Sequence, residues 1–549
     1  MSSRSHTAIS RPLRRAAVAL LAAAATLGLA TSADARPVKA DDDGRPNILV
    51  VMTDDMASTD IRFMPNVRKL IAKQGTTFND AVDSFPLCCP ARATFITGQY
   101  AHNHGVKGNF YPYGWYGLKD RKNILPRWLQ KSGYRTAAIG KWLNGYGAVD
   151  GHGEIPNGFD IWRGLLDVSA YDYYNFVMNR DGKLKYWGDK DFARKLVEFA
   201  SIEVEPNPGG IAGILGELTK LFGPPPYSYW GAENEEDYSP DVTGQVTENI
   251  VRRERTQKDP FFVWWSPAAP HREDVSTTLM GRPGADPRPA PRFLPAVNQL
   301  VLPEPPNFNE ADISDKSSNL NDYAPPLDAE DIAQLQLDYQ GRAGSLMAVD
   351  DGVGDLVKTL RRTDQLKNTM IVFLSDNGWM QGEHRIPGDK YLPYEESLRI
   401  PLIIRGPGVP KGKTRNGQVS NVDFAPTLLD MANAKPGRTM DGVSLLPATR
   451  NKKRMPNRAI AIEALEPLFE DPNVPANRWD KPYTGVRTDD YTYVVWSQTG
   501  ERELYDLRKD PFQLDNVIDD PAYAAVRDEL AAKLEVLEDC KGKACDVAQ

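Results

Sequence analysis

Four continuous apolar runs, each ending abruptly in polar residues, constrain the fold of this chain most strongly. Ile48-Leu49-Val50-Val51-Met52 stops at Thr53-Asp54-Asp55, and Ala137-Ala138-Ile139-Gly140 stops at Lys141. Phe261-Phe262-Val263-Trp264-Trp265 passes through Ser266-Pro267-Ala268-Ala269-Pro270 to His271, and Met370-Ile371-Val372-Phe373-Leu374 passes through Ser375 to Asp376-Asn377-Gly378. Runs without polar alternation belong to strands buried on both faces, as parallel sheets require. Helical patterns over 64–73, 124–132 and 328–363 fall between them. This alternation predicts an α/β fold: a doubly wound, mostly parallel sheet with helices on both faces. Open α/β sheets bind ligands outside the carboxyl ends of their strands. The polar ends therefore bring two carboxylate clusters, a lysine and a histidine to one rim.

A second feature falls outside these runs. Pro86-Leu87-Cys88-Cys89-Pro90-Ala91-Arg92-Ala93-Thr94-Phe95-Ile96-Thr97-Gly98 places a thiol two residues before a proline and four before an arginine, at what reads as the start of a helix. Unpaired N–H groups and the positive dipole end at such a start favour an anionic side chain and an anionic ligand. In an exported protein the alternative for such a cysteine is burial or a disulfide.

Cys-x-Pro-Ala-Arg followed by Thr-Gly resembles the signature of the type I, formylglycine-dependent sulfatases of the alkaline phosphatase superfamily. The offsets to Pro90 and Arg92 fit Cys88 and not Cys89. The resemblance implies that Cys88 is oxidised to Cα-formylglycine, whose hydrated aldehyde attacks sulfur. Gly140-Lys141-Trp142-Leu143-Asn144-Gly145-Tyr146, Tyr100-Ala101-His102-Asn103-His104 and Ala269-Pro270-His271 look closest to the N-acetylglucosamine-6-sulfatase and extracellular heparan sulfatase branch. The likeness runs from about residue 47 to residue 408 and, more loosely, beyond it.

Sulfate ester hydrolysis needs a hard cation, and Asp and Asn oxygens suit Ca²⁺ or Mg²⁺ better than a soft transition metal. Asp54, Asp55, Asp376 and Asn377 supply such a set, completed by the modified Cys88; the family assigns metal binding to the same positions, and most members use Ca²⁺. Positive charge must also neutralise the sulfate oxygens during attack. Lys141 and Lys390 match the family's two active-site lysines, and Arg92 its nucleophile-holding arginine. His271 resembles the histidine that contacts the ester and is the expected acid for the leaving alcohol. The chain departs from the commonest pattern at Leu143, where many arylsulfatases carry a histidine. Asn144 beside it can hydrogen-bond but cannot accept the proton, which leaves His104, His152 and His384 as substitute bases.

The remaining features concern address and surroundings. Arg11, Arg14 and Arg15 precede an apolar run over 16–30 and the small-x-small site Ala33-Asp34-Ala35, an export signal expected to span 1–35. That run is shorter than the roughly twenty residues that span a bilayer. The expected product is secreted or periplasmic, without a membrane anchor once the signal is cut. The net charge of −8 excludes general steering to nucleic acid. Cys540 and Cys545 read as a small disulfide loop. Segments 206–226 and 282–306, rich in Pro or Gly, are expected as irregular coil. Two aromatic clusters, at 110–116 and 171–174, offer rings for a sugar face or for packing.

From about 451 the pattern becomes that of antiparallel strands around 491–496 and 503–507, followed by an amphipathic helix over 519–538. The expected layout is thus a catalytic α/β domain over 36–450 and a small C-terminal α+β subdomain with an antiparallel sheet over 451–549. The expected function is a sulfatase acting on a sulfate ester, of a sugar on the strength of the resemblance, matured by a formylglycine-generating enzyme. Its rivals are a phosphonate monoester hydrolase or phosphodiesterase of the same superfamily and a non-catalytic sulfated-carbohydrate-binding relative.

Overall fold

The four apolar runs become neighbouring strands. The computed structural model describes residues 44–110, 112–147, 151–188, 234–273, 286–466 and 479–549. The expected leader, the insertion at 206–226 and the first residues of the one at 282–306 lie outside the described residues. The main sheet is built from β1 (Asn47–Thr53), β2 (Thr76–Val82), β3 (Arg135–Gly140), β4 (Ile161–Leu165), β5 (Val177–Arg180), β6 (Lys183–Tyr186), β7 (Phe261–Ser266), β8 (Thr369–Ser375), β9 (Arg399–Arg405), β10 (Lys413–Arg415) and β11 (Val419–Ser420). Its order is β10-β2-β9-β8-β1-β7-β3-β4-β5-β6, with β11 paired to β2. The central β8-β1-β7-β3-β4 block is parallel, while β9 and β5 run against their neighbours.

The central strands are buried on both faces. Ile48, Val50 and Met52 join one core, with Met370, Val372 and Leu374 of β8; Leu49 and Val51 join the other, with Ile371 and Phe373. Each such side chain contributes about 1.5–3 kcal/mol by leaving water. The first core is closed by α1 (Cys88–Thr97), α2 (Leu125–Lys131) and, later in the chain, a helix over Phe424–Ala432. The second is closed by α3 (Ser239–Glu254) and α4 (Ala329–Arg362). Asp328 caps α4, accepting from the N–H groups of Glu330 at 2.8 Å and Asp331 at 3.0 Å, while Asp331 accepts from the N–H of Asp328. Arg361 and Arg362 in its last turn complement the dipole.

The pattern at 64–73 folds differently from the expected α-helix, into a π-turn over Val67–Ile71 followed by a 3₁₀ turn over Ala72–Gln74. Asp350 of α4 accepts the N–H groups of Asn66 and Val67, each at 2.8 Å, so a tertiary partner takes donors at the start of the segment. The described part of the second insertion is irregular except for a 3₁₀ turn at Pro291–Phe293 and one helical turn at Leu294–Val297.

A four-stranded antiparallel sheet follows: β12 (Ile460–Ala464), β13 (Tyr483–Arg487), β14 (Tyr491–Trp496) and β15 (Arg502–Asp506), in that order. The helix Ala524–Leu537 covers it, and Cys540 and Cys545 are bridged. Buried polar contacts join this sheet to the main one. Arg487 of β13 meets Asp80 of β2 and Glu395, and Glu463 of β12 meets the imidazole of His102 at 2.7 Å.

Candidate active site

Strand ends and a helix start converge on one buried pocket. Thr53 lies opposite Ser375 in the parallel β1–β8 pair, so Asp54-Asp55 and Asp376-Asn377 leave the sheet together. Asp376 Oδ1 accepts from the N–H groups of Asp55 at 3.0 Å and Asn377 at 2.9 Å, and Asn377 Nδ2 donates to Asp55 Oδ1 at 2.8 Å. Gly140 pairs with Ser266 across β3 and β7, and the N–H of Lys141 donates to the Ser266 carbonyl at 2.8 Å. Gly140 has φ 104, and a Cβ there would lie 2.0 Å from the Ser266 oxygen, so only glycine lets Lys141 emerge this close to β7. The N–H of Asp54 donates to the Ala269 carbonyl at 3.2 Å, which ties the end of β1 to the loop that carries His271.

Cys88 is the first residue of α1 and has no exposed surface. Its thiol points at Asp54 Oδ1, 3.4 Å away, and at Asp55 Oδ1, 3.8 Å away. Cys89 turns into the core, with its N–H on Asn109 Oδ1 at 2.9 Å. Burial, reinforced by the Asp54 charge, pushes the Cys88 thiol well above the usual range despite Lys141 and Lys390.

Arg92, one turn further along α1, bridges three strand ends. Its Nε donates to Asp376 Oδ2 at 2.8 Å, and its Nη1 donates to the Lys141 carbonyl at 3.0 Å and to Ser266 Oγ at 2.7 Å. Nη2 has no hydrogen-bond partner and lies 3.7 Å from Asp54 Oδ2. Lys141 Nζ donates to Asp54 Oδ2 at 2.5 Å, and Lys390 Nζ to Asp55 Oδ2 at 2.6 Å. Burial opposes the charge on both lysines, but Asp54 and Asp55 outweigh it and hold both ammonium groups well above their ordinary range. Burial likewise opposes the charge on Asp55, yet Lys390, His271 and Lys141 hold its carboxyl well below the usual carboxylate range. Asp376 moves the other way, raised by burial and by Asp54 against the pull of Arg92.

His271 Nδ1 sits 2.6 Å from the Arg272 carbonyl, which can only accept, so Nδ1 carries a proton. Nε2 faces the cluster, 3.2 Å from Lys390 Nζ and 3.4 Å from Asp55 Oδ2.

The donor set fits a hard divalent cation. Ligand atoms of Asp54, Asp55, Cys88 and His271 all lie within 4.8 Å of one another. Asn377 Oδ1 is buried without a donor, as an oxygen held for a cation would be. Both Asp376 oxygens already accept N–H groups, which leaves them more constrained than those of Asp54 and Asp55. The three suggested substitute bases are engaged elsewhere: His104 with Thr94 and the N–H of Val106, His152 with the Gly147 carbonyl, and His384 with Glu310 and Asn307.

Sequence reasoning passed over Ser266, a side-chain partner of Arg92 beside Asp376, and Trp379, whose ring lies under Lys390. Trp379 stands three residues beyond Asp376, and that nearness to a strand end was the available signal. Tyr171, expected as a ring for sugar or for packing, lies against His271 and Lys141, and its oxygen accepts from Asn144 Nδ2 at 2.6 Å. Tyr173 and Tyr174 pack on Tyr238, and Trp115 lies in the core.

Comparison with known proteins agrees with this geometry. Residues 46–434 match the family described as Sulfatase, and residues 382–540 match N-sulphoglucosamine sulphohydrolase, C-terminal. The chain is 30% identical to an arylsulfatase of Chlamydomonas reinhardtii, covering 96% of this chain and 79% of that protein. It is 28% identical to an N-acetylglucosamine-6-sulfatase of Homo sapiens, covering 91% and 86%. A solved protein in complex with its substrate D-glucosamine-2-N,6-O-disulfate superposes with a TM-score of 0.68 at 25% identity, over 89% of this chain and 97% of that one. By the match over residues 46–434, borne on a site that gathers a helix-start thiol, carboxylates and two buried lysines, the chain belongs to the sulfatase family, of the formylglycine type.

Proposed function

We propose that this sulfatase removes the 6-O-sulfate of a glucosamine unit in a sulfated saccharide, outside the cytoplasm. The observation that carries the sugar assignment is the likeness, over most of both chains, to the protein bound to D-glucosamine-2-N,6-O-disulfate. Export rests on the leader at 1–35; among the described residues no helix is long and apolar enough to cross a membrane.

With a divalent ion bound by Asp54, Asp55, Asp376 and Asn377, and Cys88 oxidised by a formylglycine-generating enzyme, those groups supply an oxygen nucleophile of lowered pKa and a positive contact for sulfate. Ca²⁺ suits an all-oxygen set of this kind. The chain's own residues do the rest. Arg92 clamps the ends of β3, β7 and β8 so that the helix start cannot drift from the carboxylates. Lys141 and Lys390 turn their ammonium groups from Asp54 and Asp55 to the sulfate oxygens and neutralise the charge that builds there. Three carboxylates face three fixed cations, so a divalent ion adds the net positive charge that draws in an anionic ester. His271, its Nδ1 proton held by the Arg272 carbonyl, presents Nε2 to the leaving oxygen and, with a second proton bound at Nε2, donates that proton there.

Two measurements test the proposal. Release of sulfate from N-acetylglucosamine-6-sulfate should exceed release from a 4-O-sulfated galactosamine and turnover of a matched aryl phosphodiester. A preference for the phosphodiester would turn the assignment toward the phosphonate and phosphodiester hydrolases. The tryptic peptide 74–92 should be lighter by the difference between H₂S and O at Cys88. An intact thiol in protein from its own host would leave the binding-protein alternative ahead.

A further inference from the structure

The two lysines of the pocket share a second arrangement besides their carboxylates. Lys141 Nζ lies 4.5 Å from the centroid of the Tyr171 ring, and Lys390 Nζ lies 5.2 Å from that of Trp379. Each therefore has one aspartate and one aromatic face, contributed by different loops, and Lys390 has His271 Nε2 at 3.2 Å besides. Both rings are nearly closed to solvent, with Tyr171 8% and Trp379 4% exposed.

Each ring is fixed in place. The imidazole of His271 lies 4.2 Å from the Tyr171 ring on a tilt of 31°, and Asn144 Nδ2 donates to the phenol oxygen. Trp379 is anchored through its backbone N–H, which donates to the Glu396 carbonyl at 2.8 Å. Its indole N–H has no partner, while Arg272 and Arg342 lie over the ring at 5.2 and 5.0 Å. That ring is the shared face of three cations, an environment that favours its π-electrons over its edge.

A lysine has a long flexible stem, and to hold sulfate it must let go of its aspartate without leaving the pocket. A carboxylate attracts the ammonium along one direction and so opposes that exchange. A ring face attracts it over a broad area, so Nζ can pivot from the carboxylate oxygen to a sulfate oxygen while still over the ring.

We propose that Tyr171 and Trp379 are positioning residues of the sulfate site: their faces carry Lys141 and Lys390 through the exchange from Asp54 and Asp55 to the bound sulfate. This rests on the reading of the two lysines as sulfate holders. Tyr171→Leu and Trp379→Met remove a face, whereas Tyr171→Phe and Trp379→Phe keep one.

The experiment measures kcat and KM on an aryl sulfate, with the inhibition constant of inorganic sulfate, in formylglycine-bearing protein. Loss of a face should lower kcat/KM about 5- to 30-fold and weaken inorganic sulfate by a similar factor, and Tyr171→Phe should restore both to within about 3-fold. The decisive arm repeats each change in a Lys141→Ala or Lys390→Ala background, with sulfate affinity read by calorimetry where turnover is too slow. There the loss of the matching ring should cost little further. Losses that stay full-sized without the lysine, or face-removed variants at wild-type activity, would overturn the proposal. If Trp379→Met does not fold, the smaller loss expected for Trp379→Phe must still vanish with Lys390→Ala. If neither lysine variant alters kcat/KM or sulfate affinity, the sulfate-holding role of the lysines falls instead.

Discussion

The catalytic pocket and the seam under the C-terminal sheet both bury an arginine among carboxylates, and they finish the job differently. In the seam, Arg487 donates through Nε to Glu395, through Nη1 to Asp80, Gln418 and the Thr488 carbonyl, and through Nη2 to Asp80 and Glu395 again, all between 2.6 and 3.0 Å. Every N–H of that guanidinium is used. In the pocket, Arg92 Nη2, Asn377 Oδ1 and Asn144 Oδ1 are buried with no hydrogen-bond partner. Leaving a buried polar group unmet costs about 1–3 kcal/mol. The Arg487 guanidinium avoids that cost and acts as structure; the pocket bears it at these three atoms, in keeping with the ion and the substrate proposed for it.

The sharpest way to break this contrast is to remove the nucleophile. Cys88→Ala should abolish turnover, a loss on the order of 10⁴-fold or more, with an unchanged melting temperature. Residual activity close to wild type would show that the pocket does its chemistry elsewhere. His271→Gln should lower kcat about 10²- to 10³-fold on a sugar sulfate and much less on a sulfate ester of an acidic phenol, whose leaving oxygen needs no proton. Equal losses on both substrates would remove the acid role.

The seam should respond in stability instead. Arg487→Met leaves Asp80 and Glu395 buried with only Arg399, 3.7 Å from Glu395, as a counter-charge, and should cost about 3–5 kcal/mol in denaturant unfolding, with kcat/KM of the folded fraction unchanged. A catalytic defect without destabilisation would erase the distinction between the two regions.

The smallest effect should come from His102. Burial works against its charge, but the hydrogen bond and charge of Glu463, with the Cys540 carbonyl, push its pKa up to about 9. Because the folded value lies above the unfolded one, the stabilisation is complete below about pH 6.5 and is lost as pH rises toward 9, about 1–3 kcal/mol in all. Melting temperature measured from pH 6 to 10 should fall along this limb in the wild type and stay flatter in His102→Gln; parallel curves would refute the coupling.

Much of the pocket was legible because its residues follow long apolar strands. Burial on both faces and a polar stop are local signals, so Asp54, Asp55, Lys141, His271, Asp376 and Asn377 could be placed on one rim before any contact was known. The helix start marked an anion-favouring site, and the resemblance of Cys-x-Pro-Ala-Arg to the sulfatase signature singled out Cys88 and Arg92 within it. What escaped depends on distant partners. The segment at 64–73 has a helical pattern, but Asp350, far along the chain, accepts two of its N–H groups. The antiparallel course of β9 and the short β4–β6 ribbon leave no periodic mark. Tyr171 and Trp379 look like other aromatics until folding sets a lysine over each.

The sealed position of Cys88 also imposes an order in time. Its side chain has no exposed surface, with the loop before it tied to the lysine-bearing loop by the Tyr391 N–H and the Pro86 carbonyl at 2.9 Å. A second protein cannot reach that thiol once the β-strands have assembled around it. On the proposed reading, in which a second protein converts Cys88, conversion precedes folding, and a chain that folds first keeps its thiol. The yield of active protein is then set by a race between the modifying enzyme and the closing of the chain, so slowing folding at low temperature should raise the modified fraction without changing the sequence.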